Sequence, residues 1–424
     1  MTVSIFLLSL AAAAISGFAD ETAELQQNWS ALQERNIELL PIPKHLSLAR
    51  PQTLTKLVIS GMATARYRAA MIEELSSRIS ELGLQVTVSN APEPATDAYN
   101  IILATWDDSS AAAAMVPDNG DSRFAQAYTL TPGDHRLILS GKSDLGLLYA
   151  VVTLRSLIQN DNGQAVIHPA TVADWPDFAT RRCGLQFNPL GSPSRRDPEE
   201  FLANMKAALK WALRHKINAI SQLPYIPQYS NIRRLNAKSP HFDAVLAARL
   251  KQVTDFARAN GILAGRVGNF ISVAEADNPE DAADPRFKDL LLFNRRHIAT
   301  WGHLDWHQEI NRRYADFFRA SGFSFFNHHT VDSGGANDPA LWSKRDAETR
   351  RLYGDDRVKA DIALWTAVAD CFKGLDMDFS ITQYPYSGKY LTLEGIREVL
   401  HLPDNNTARE TAQKILARNL DYLN

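Results

Sequence analysis

The second half of this sequence alternates short apolar segments with longer amphipathic ones, and this alternation constrains the fold more than any other feature. The short segments have the length of strands, and the longer ones have the periodicity of helices. Gly261 and Gly322 each stand directly after a helical segment, where glycine commonly ends a helix. Repeated strand–helix units of this size predict a parallel sheet with crossover helices. The predicted strands are 183–187, 217–221, 262–267, 323–326 and 376–382, and the predicted helices are 198–215, 242–260, 306–320 and 355–373.

Two architectures place helices around a parallel sheet, and the sequence favours one of them. No glycine-rich phosphate loop follows the first strand, which disfavours a dinucleotide-binding fold. The remaining common solution is a (β/α)8-type TIM barrel, which we assign to residues 175–424. A closed barrel needs eight strand–helix units, whereas this pattern supplies about five. Either the interpretation merges some units or the barrel is truncated, and we favour truncation.

A smaller α/β domain is predicted ahead of the barrel, over residues 41–168. Its end is marked by a proline-containing connector at 174–178, which separates it from the repeated units. The predicted fold is therefore of the α/β class, with a small N-terminal domain followed by the barrel. Strands are predicted at 54–60, 84–88, 100–104, 127–131 and 136–140, and helices at 63–82 and 145–159.

The N-terminus and the composition indicate an exported globular protein. Residues 1–19 form an apolar run that ends in Gly-Phe-Ala before acidic residues, as in a secretory signal peptide, and a polar lead-in follows at 20–40. We therefore expect a secreted or periplasmic protein without a membrane span. The net charge of -3 gives no reason to expect a nucleic-acid partner. Two cysteines exclude a disulfide scaffold, and no Cys/His cluster has zinc spacing, so no metal or cofactor is predicted.

Three stretches resemble glycoside hydrolase family 20, the β-N-acetylhexosaminidases. Residues 141–158 look like the helix that ends the small N-terminal domain of that family, and related domains precede the barrels of family 84 and the α-glucuronidases. Residues 172–182 are similar to the "D-x-P-x-F-x-x-R-G" junction that enters the first barrel strand. Lys216-Ile-Asn218 resembles the "K-x-N" before the second strand. The resemblance implies a hexosaminidase-like N-terminal domain and a barrel with its active site at the carboxyl ends of the strands.

The fourth predicted strand carries the family's catalytic pattern only in part. Residues 326–333 are similar to "F-x-H-x-G-G-D-E", with Phe326, His328 and Asp332 on the pattern. By this resemblance, Asp332 is the carboxylate that orients and polarises the substrate's acetamido group. Ser333 stands where the family has its general acid. The family's "H-x-x-D" after the second strand is also absent, which puts N-acetylhexosamine specificity in doubt.

Glycoside cleavage requires a proton donor, and Ser333 is too weak an acid to serve as one. Three explanations remain: another acid donates the proton, the chemistry differs from that of a hexosaminidase, or the protein binds sugar without cleaving it. Asp338, on the loop after the fourth strand, is our candidate for the second catalytic residue besides Asp332. Other carboxylates are further candidates for this acid, although surface charge or helix capping accounts for each of them as well. They are Asp346, Glu348, Asp355 and Asp356.

Candidate sugar contacts lie at the predicted carboxyl ends of the strands and on the loops after them. His328 and His329 are adjacent on a strand, so their side chains should point to opposite faces and cannot form a metal site by themselves. Aromatic rings suit the apolar faces of pyranoses, and amides suit their hydroxyl groups. The predicted substrate-binding residues are His328, His329, Gln186, Asn188, Tyr225, Asn269, Trp301, Trp342 and Tyr384.

Two functions therefore remain open at the level of sequence. The first is a glycosidase that acts on extracellular oligo- or polysaccharides, with a second carboxyl group about 5–10 Å from Asp332. The second is a non-catalytic carbohydrate-binding protein of hydrolase-like architecture, with aromatic rings but no second acid. An aldolase-type barrel is disfavoured because no lysine stands at a strand end. In both functions the partner is a carbohydrate, and the oligomeric state stays open.

Overall fold

A computed structural model of the protein forms two compact units. The first comprises Met1–Arg181 with Leu209–Asn218 and Ala259–Gly261, and the second comprises the rest of the chain. The predicted signal peptide, 1–19, lies outside the described residues. No helix within the described ranges has both the length and the apolar character needed to cross a membrane. The structure describes residues 22–62, 64–107, 111–117, 120–184, 198–221, 240–269, 273–274, 291–293, 296–298, 300–330, 342–383, 403–407 and 409–410.

The first unit is built on a seven-stranded mixed sheet with the order β1-β10-β6-β7-β5-β3-β4. Strands β4, β3, β5 and β7 run parallel to one another, whereas β6, β10 and β1 are antiparallel to their neighbours. Strands β2, β9 and β8 form a second, small sheet. The strands are β1 His45–Leu48, β2 Gln52–Thr53, β3 Lys56–Ser60, β4 Thr87–Asn90, β5 Tyr99–Thr105, β6 Tyr128–Gly133, β7 Arg136–Gly141, β8 Ile158–Asp161, β9 Gln164–Ile167 and β10 Ala170–Asp174.

Three helices accompany this sheet: α1 (22–33), α2 (Arg68–Glu81) and α3 (Asp144–Ser156). Helix α3 is apolar around most of its circumference because it packs against β6, β7 and α2 and is buried nearly throughout. Ser143 caps its first turn, since the Ser143 hydroxyl accepts a hydrogen bond from the backbone N–H of Gly146. The predicted α/β character of this unit is confirmed. Strand β10 starts after residue 168, where the predicted domain ends, and pairs with β1 and β6.

A buried carboxylate joins the helices of the first unit. Glu74 of α2 is fully buried, and its oxygens lie 3.1 Å from Arg155 Nε, 2.9 Å from Lys210 Nζ and 3.0 Å from Arg214 Nε. Lys210 and Arg214 belong to the segment 209–218 that the chain contributes to this unit. We refer to these four residues as the Glu74 cluster. Three cations around one carboxylate offset the cost of burying its charge.

The described residues of the second unit contain five parallel strands in the order β11-β12-β13-β17-β18, with helices between them along the chain. Neighbours in this sheet follow the order of the chain without reversal, whereas the strand order of a doubly wound sheet reverses at one point. Strands β14, β15 and β16 form a separate small sheet. The strands of this unit are β11 Arg182–Gly184, β12 Ala219–Ser221, β13 Leu263–Asn269, β14 Val273–Ala274, β15 Leu291–Phe293, β16 Arg296–Ile298, β17 Phe325–Thr330 and β18 Asp378–Gln383.

The described helices of the second half are α4 Pro198–Arg214, α5 Pro240–Ala259, α6 Leu304–Ser321, α7 Ala347–Tyr353 and α8 Arg357–Asp370. Four of them, α4, α5, α6 and α8, lie close to the predicted ones, and α7 was not predicted. Gly261 and Gly322 follow α5 and α6 with φ angles of 70° and 67°, a left-handed conformation that glycine adopts without steric cost. The mixed α/β class of the chain is therefore confirmed, while the eight-stranded barrel stays a prediction.

Candidate active site

The carboxyl ends of the parallel strands in the second unit form the candidate site. Strand register places Asn269 of β13 opposite His329 of β17, and His329 opposite Thr382 of β18. Two of the predicted sugar contacts, Asn269 and His329, are therefore neighbours in one row. Asp332 follows the last residue of β17, Thr330, by two positions. Barrel enzymes keep their catalytic groups at this end of the strands, so the row marks the edge where the chemistry is expected.

A buried aromatic cluster fixes the position of β17 and β18. The ring of Phe326 lies 4.9 Å from that of Phe318 on α6 and 5.4 Å from that of Phe372. Phe372 in turn stacks on Phe379 of β18, with ring centroids 4.4 Å apart and planes 7° from parallel. This packing anchors both strands on one face. Polar groups such as Asn327 lie on the other face of these strands. Asn327 donates a hydrogen bond of 2.7 Å to Ser380 Oγ.

His328 lies on the face of β17 that meets the helices. Its side chain is only 2% exposed, and its ring stands edge-on to Trp365 of α8, with centroids 5.3 Å apart. The ring also contacts Phe326, two residues earlier on the same face of the strand. His328 therefore packs between strand and helix. The side chains of Asn269 and His329 lie outside the described part of the structure, so their predicted contacts with sugar stay predictions.

Two predicted sugar-stacking tryptophans lie together. Trp301 is fully buried, and its indole N–H donates a 2.5 Å hydrogen bond to Asp361 Oδ1. Its ring is edge-on to Trp342, at a centroid distance of 5.1 Å. The guanidinium of Arg345 lies 4.4 Å above the Trp342 ring. In this arrangement Trp301 presents no ring face to a ligand, and Trp342 is the half-buried member of the pair.

Asp361 is a buried acid that the sequence patterns did not single out. Burial raises the pKa of its carboxyl group, while Arg357 and the hydrogen bond from Trp301 lower it by less. Arg357 lies one helical turn earlier on α8, with 3.4 Å between Arg357 Nε and Asp361 Oδ2. The spacing of an arginine and an aspartate four residues apart on a helix was the available signal. Such a pair is common on helix surfaces, so the spacing alone could not indicate burial.

The other carboxylates near the predicted site have structural partners. Asp346 and Asp356 cap α7 and α8, since each accepts a hydrogen bond from a backbone N–H in the first turn of its helix. Glu348 and Asp355 form ion pairs with Arg351 and Arg345, both at 2.5 Å. Capping and pairing are the roles expected for them from the sequence. Within the described ranges, no group of three His, Cys, Asp or Glu residues is arranged to hold a metal ion.

The remaining predicted residues of the site lie outside the described residues. They are Asp332 and Asp338, with the predicted catalytic roles, and Gln186, Asn188, Tyr225 and Tyr384, with predicted roles in substrate binding.

The sequence motifs of the first unit meet in space around a buried ion pair. Lys216 Nζ lies 2.8 Å from Asp174 Oδ2 and donates a 2.6 Å hydrogen bond to the hydroxyl of Tyr128, which itself donates to Asp174. Asn218 Oδ1 accepts a hydrogen bond from the backbone N–H of Arg181, and Arg181 Nε donates to the carbonyl of Lys216, both at 2.7 Å. An ion pair and hydrogen bonds therefore join residues of the "D-x-P-x-F-x-x-R" motif to residues of the "K-x-N" motif.

Comparison with known proteins agrees with these motifs. Residues 36–175 match the profile described as "Glycosyl hydrolase family 20, domain 2". No curated protein matches the sequence of the chain. The chitobiase of Flavobacterium johnsoniae is similar in structure, with 13% identity and a TM-score of 0.54 over 82% of this chain and 52% of that one. This chain thus spans about half the length of that protein.

Two further solved structures show the same likeness. The β-N-acetylhexosaminidase of Bacteroides fragilis is 14% identical, with a TM-score of 0.54 over 87% of this chain and 68% of that one. A family 20 exo-β-N-acetylglucosaminidase of Vibrio harveyi, solved with N-acetylglucosamine, is 13% identical, with a TM-score of 0.54 over 85% of this chain and 59% of that one. Identities this low concern the fold alone. Residues 36–175 therefore form a domain similar to domain 2 of glycoside hydrolase family 20.

Proposed function

We propose that this protein is a glycoside hydrolase that cleaves O-glycosyl bonds in extracellular oligo- or polysaccharides, in the manner of the β-N-acetylhexosaminidases. One observation carries the proposal. A domain 2 of the family 20 type is followed by parallel strands in chain order, and the fourth of them, β17, leads into Asp332. In this proposal the strands belong to a (β/α)8-type barrel over residues 175–424.

The proposed chemistry assigns a separate role to each of two carboxyl groups. Asp332 orients the substrate and stabilises positive charge that develops at the sugar during bond cleavage. Asp338 donates the proton to the leaving oxygen, because Ser333 cannot. The capping and ion-pair roles of the other four candidates support Asp338 as this acid, since those carboxylates are already bound to structural partners.

The alternative is a hydrolase-like protein that binds carbohydrate without cleaving it. Ser333 favours this alternative, because a family 20 enzyme has its general acid at that position. Both functions predict that a sugar binds at the carboxyl edge of the sheet. They differ in turnover, which can be measured directly.

Kinetics on a panel of aryl glycosides, including the N-acetyl-β-glucosaminide, tests the proposal. We expect Asp332→Asn to lower kcat/KM by at least about 10²-fold, while Asp338→Asn removes the limb of the pH profile that reports the acid. Asp255→Asn is the matched control, since Asp255 is a half-exposed residue of α5 that pairs with Lys251. Calorimetry with N-acetylglucosamine completes the test. Binding without turnover in the wild type supports the alternative, and neither binding nor turnover contradicts both.

Export is a further part of the proposal. Residues 1–19 have the pattern of a secretory signal, which would deliver the protein to an extracellular polysaccharide. N-terminal sequencing of the protein recovered outside the cytoplasm should begin at Asp20. A retained Met1 would contradict processing.

A further inference from the structure

A cavity of about 420 Å³ opens in the first unit, and none of its lining residues has a part in the proposed catalytic site. Its walls are largely apolar, and they include Leu25, Leu40, Ile42, Trp175 and Phe178. The ring of Phe178 is 72% exposed, an unusual position for a phenylalanine. The volume lies within the range of ligand-binding pockets, which are commonly apolar with a few converging polar groups.

Buried polar groups line the cavity opposite these walls. Lys216 and Asp174 form their ion pair there, and the hydroxyl of Tyr128 joins both. Arg181 and Tyr149 complete the polar lining, with the Arg181 guanidinium 5.4 Å from the centroid of the Tyr149 ring. Four of these polar residues are each less than a tenth exposed, so a ligand group that contacts them is removed from water. They are Asp174, Lys216, Tyr128 and Tyr149.

Among the described residues, one cation of the lining, Arg181, has no carboxylate partner. Lys216 is paired with Asp174, and Lys44 with Asp177 at 2.7 Å. Arg181 donates four hydrogen bonds within the described part of the chain, and all of them reach uncharged oxygens. The acceptors are the carbonyls of Lys216 and Phe178, Gln126 Oε1 and the hydroxyl of Tyr149.

We propose that this cavity binds a small amphipathic carboxylate, whose apolar body lies against Trp175 and Phe178 and whose anionic group faces Arg181. The apolar walls favour an aromatic or aliphatic body over the hydroxyl-rich surface of a sugar. The positive charge of the guanidinium favours a carboxylate, which can accept a charge-assisted hydrogen bond from the Nη1 hydrogen that these four hydrogen bonds do not use. The proposal is independent of the glycosidase activity.

Calorimetry with two probes of nearly equal shape tests the proposal on the full chain. The probes are 2-naphthoate and its neutral analogue 2-naphthamide, and N-acetylglucosamine serves as a third. We expect 2-naphthoate to bind at least about tenfold more tightly than 2-naphthamide, and more weakly as salt is added. Equal affinities, or no saturable binding of 2-naphthoate, would overturn the proposal. Binding of N-acetylglucosamine that depends on Phe178 would also overturn it, because it would assign the cavity to a sugar.

Two matched variants test whether 2-naphthoate binds in this cavity. Phe178→Ala removes the exposed ring at the cavity and should weaken 2-naphthoate binding several-fold. Trp29→Ala removes an exposed aromatic ring of the same unit that does not line the cavity, and it should leave the affinity unchanged. An equal effect of the two substitutions would contradict binding in this cavity.

A third variant tests the charge. Arg181→Gln should abolish the preference for 2-naphthoate over 2-naphthamide while leaving 2-naphthamide binding in place. Circular dichroism and the Tm establish whether this variant is folded. If it is not, the Phe178→Ala and Trp29→Ala pair and the ratio of the two affinities in the wild type still decide the proposal.

Discussion

The buried ion pair of Lys216 and Asp174 gives the sharpest prediction about stability. The two side chains are 5% and 8% exposed, and the distance between Lys216 Nζ and Asp174 Oδ2 is 2.8 Å. Burial lowers the pKa of Lys216, whereas the charge and the hydrogen bond of Asp174 raise it by less. Burial of the ammonium group is therefore tolerated because Asp174 is present, and Asp174 depends on Lys216 in the same way.

Lys216→Met removes the charge and retains most of the side chain's length. Asp174 keeps hydrogen bonds from the hydroxyl of Tyr128 and, at 3.2 Å, from the backbone N–H of Lys44, but it loses its cation. Breaking one side of a buried pair costs about 3–5 kcal/mol. For a unit of this size, each kcal/mol lowers the Tm by about 2–4 °C, which gives a decrease of about 6–20 °C. Lys216→Met/Asp174→Asn should recover part of this loss, because no unpaired charge is then buried.

Urea unfolding followed by circular dichroism, together with calorimetric Tm values, measures the effect. Lys251→Met is the matched control, since Lys251 forms an exposed i,i+4 pair with Asp255, and such pairs contribute about 0.5 kcal/mol or less. A loss below about 1 kcal/mol in Lys216→Met would refute the reasoning. So would a double variant less stable than Lys216→Met alone, because it would show that the unpaired carboxylate is not the source of the cost.

Three further predictions concern the buried charges and one hydrogen bond. Glu74→Gln removes the buried carboxylate that the three cations of the Glu74 cluster share and leaves them only the more exposed Glu73 and Glu81, which should cost about 3–5 kcal/mol in urea unfolding, while Glu73→Gln on the exposed side should cost less than about 1 kcal/mol. The pKa of Glu81 is raised by partial burial but lowered more by Arg155 and Arg214, so its net pKa lies below the ordinary 4.5. Its contribution to stability is therefore present above pH 4.5 and lost as the pH falls through the lower folded-state value. In Tm measurements over that range, Glu81→Gln should show a shallower decrease than the wild type. Trp301→Phe removes the donor to Asp361 and should destabilise the protein by about 1–3 kcal/mol, measured by urea unfolding, and an unchanged midpoint would contradict this.

Local patterns predicted the long elements of the fold well. Helices α2, α3, α5 and α6 have apolar residues at helical spacing and clear end signals, and they lie within about two residues of the predicted helices at most ends. Strands β1, β8, β9 and β10 were not predicted. They are four or five residues long, and β1 pairs with β10 across more than 120 residues of chain, so their structure depends on distant partners that no local pattern contains. Strand β17 runs from Phe325 to Thr330, later than the predicted 323–326, because its pairing with β13 and β18 extends through the polar residues that follow the apolar run.

The candidate site was predictable in its position along the chain and less so in its side chains. Strand ends can be located from sequence, but only the structure shows the register that places Asn269 opposite His329. Sequence patterns do not show in the same way whether a single aromatic side chain on a loop is buried. Trp301 has the residue type of a sugar-stacking ring, yet its indole is enclosed and bonded to Asp361, a partner 60 residues away. Asp361 was missed for the same reason, since its unusual environment is created by contacts that are distant in sequence.

The motifs that make this chain similar to family 20 hold segments of the first unit together, and they take no direct part in the proposed chemistry. Asp174 and Lys216 neutralise each other, and Arg181 and Asn218 join the same two segments through hydrogen bonds. None of these contacts involves a residue at the end of β17, so the contacts do not depend on which residue stands at position 333. Family likeness in this region therefore supports the fold strongly and the activity only weakly. In the proposed mechanism, catalysis depends on Asp332 and Asp338, and neither residue takes part in the contacts described for these four residues. A loss of activity in Asp332→Asn without a change in Tm, together with a loss of Tm in Lys216→Met, would demonstrate that the two sets of residues are independent.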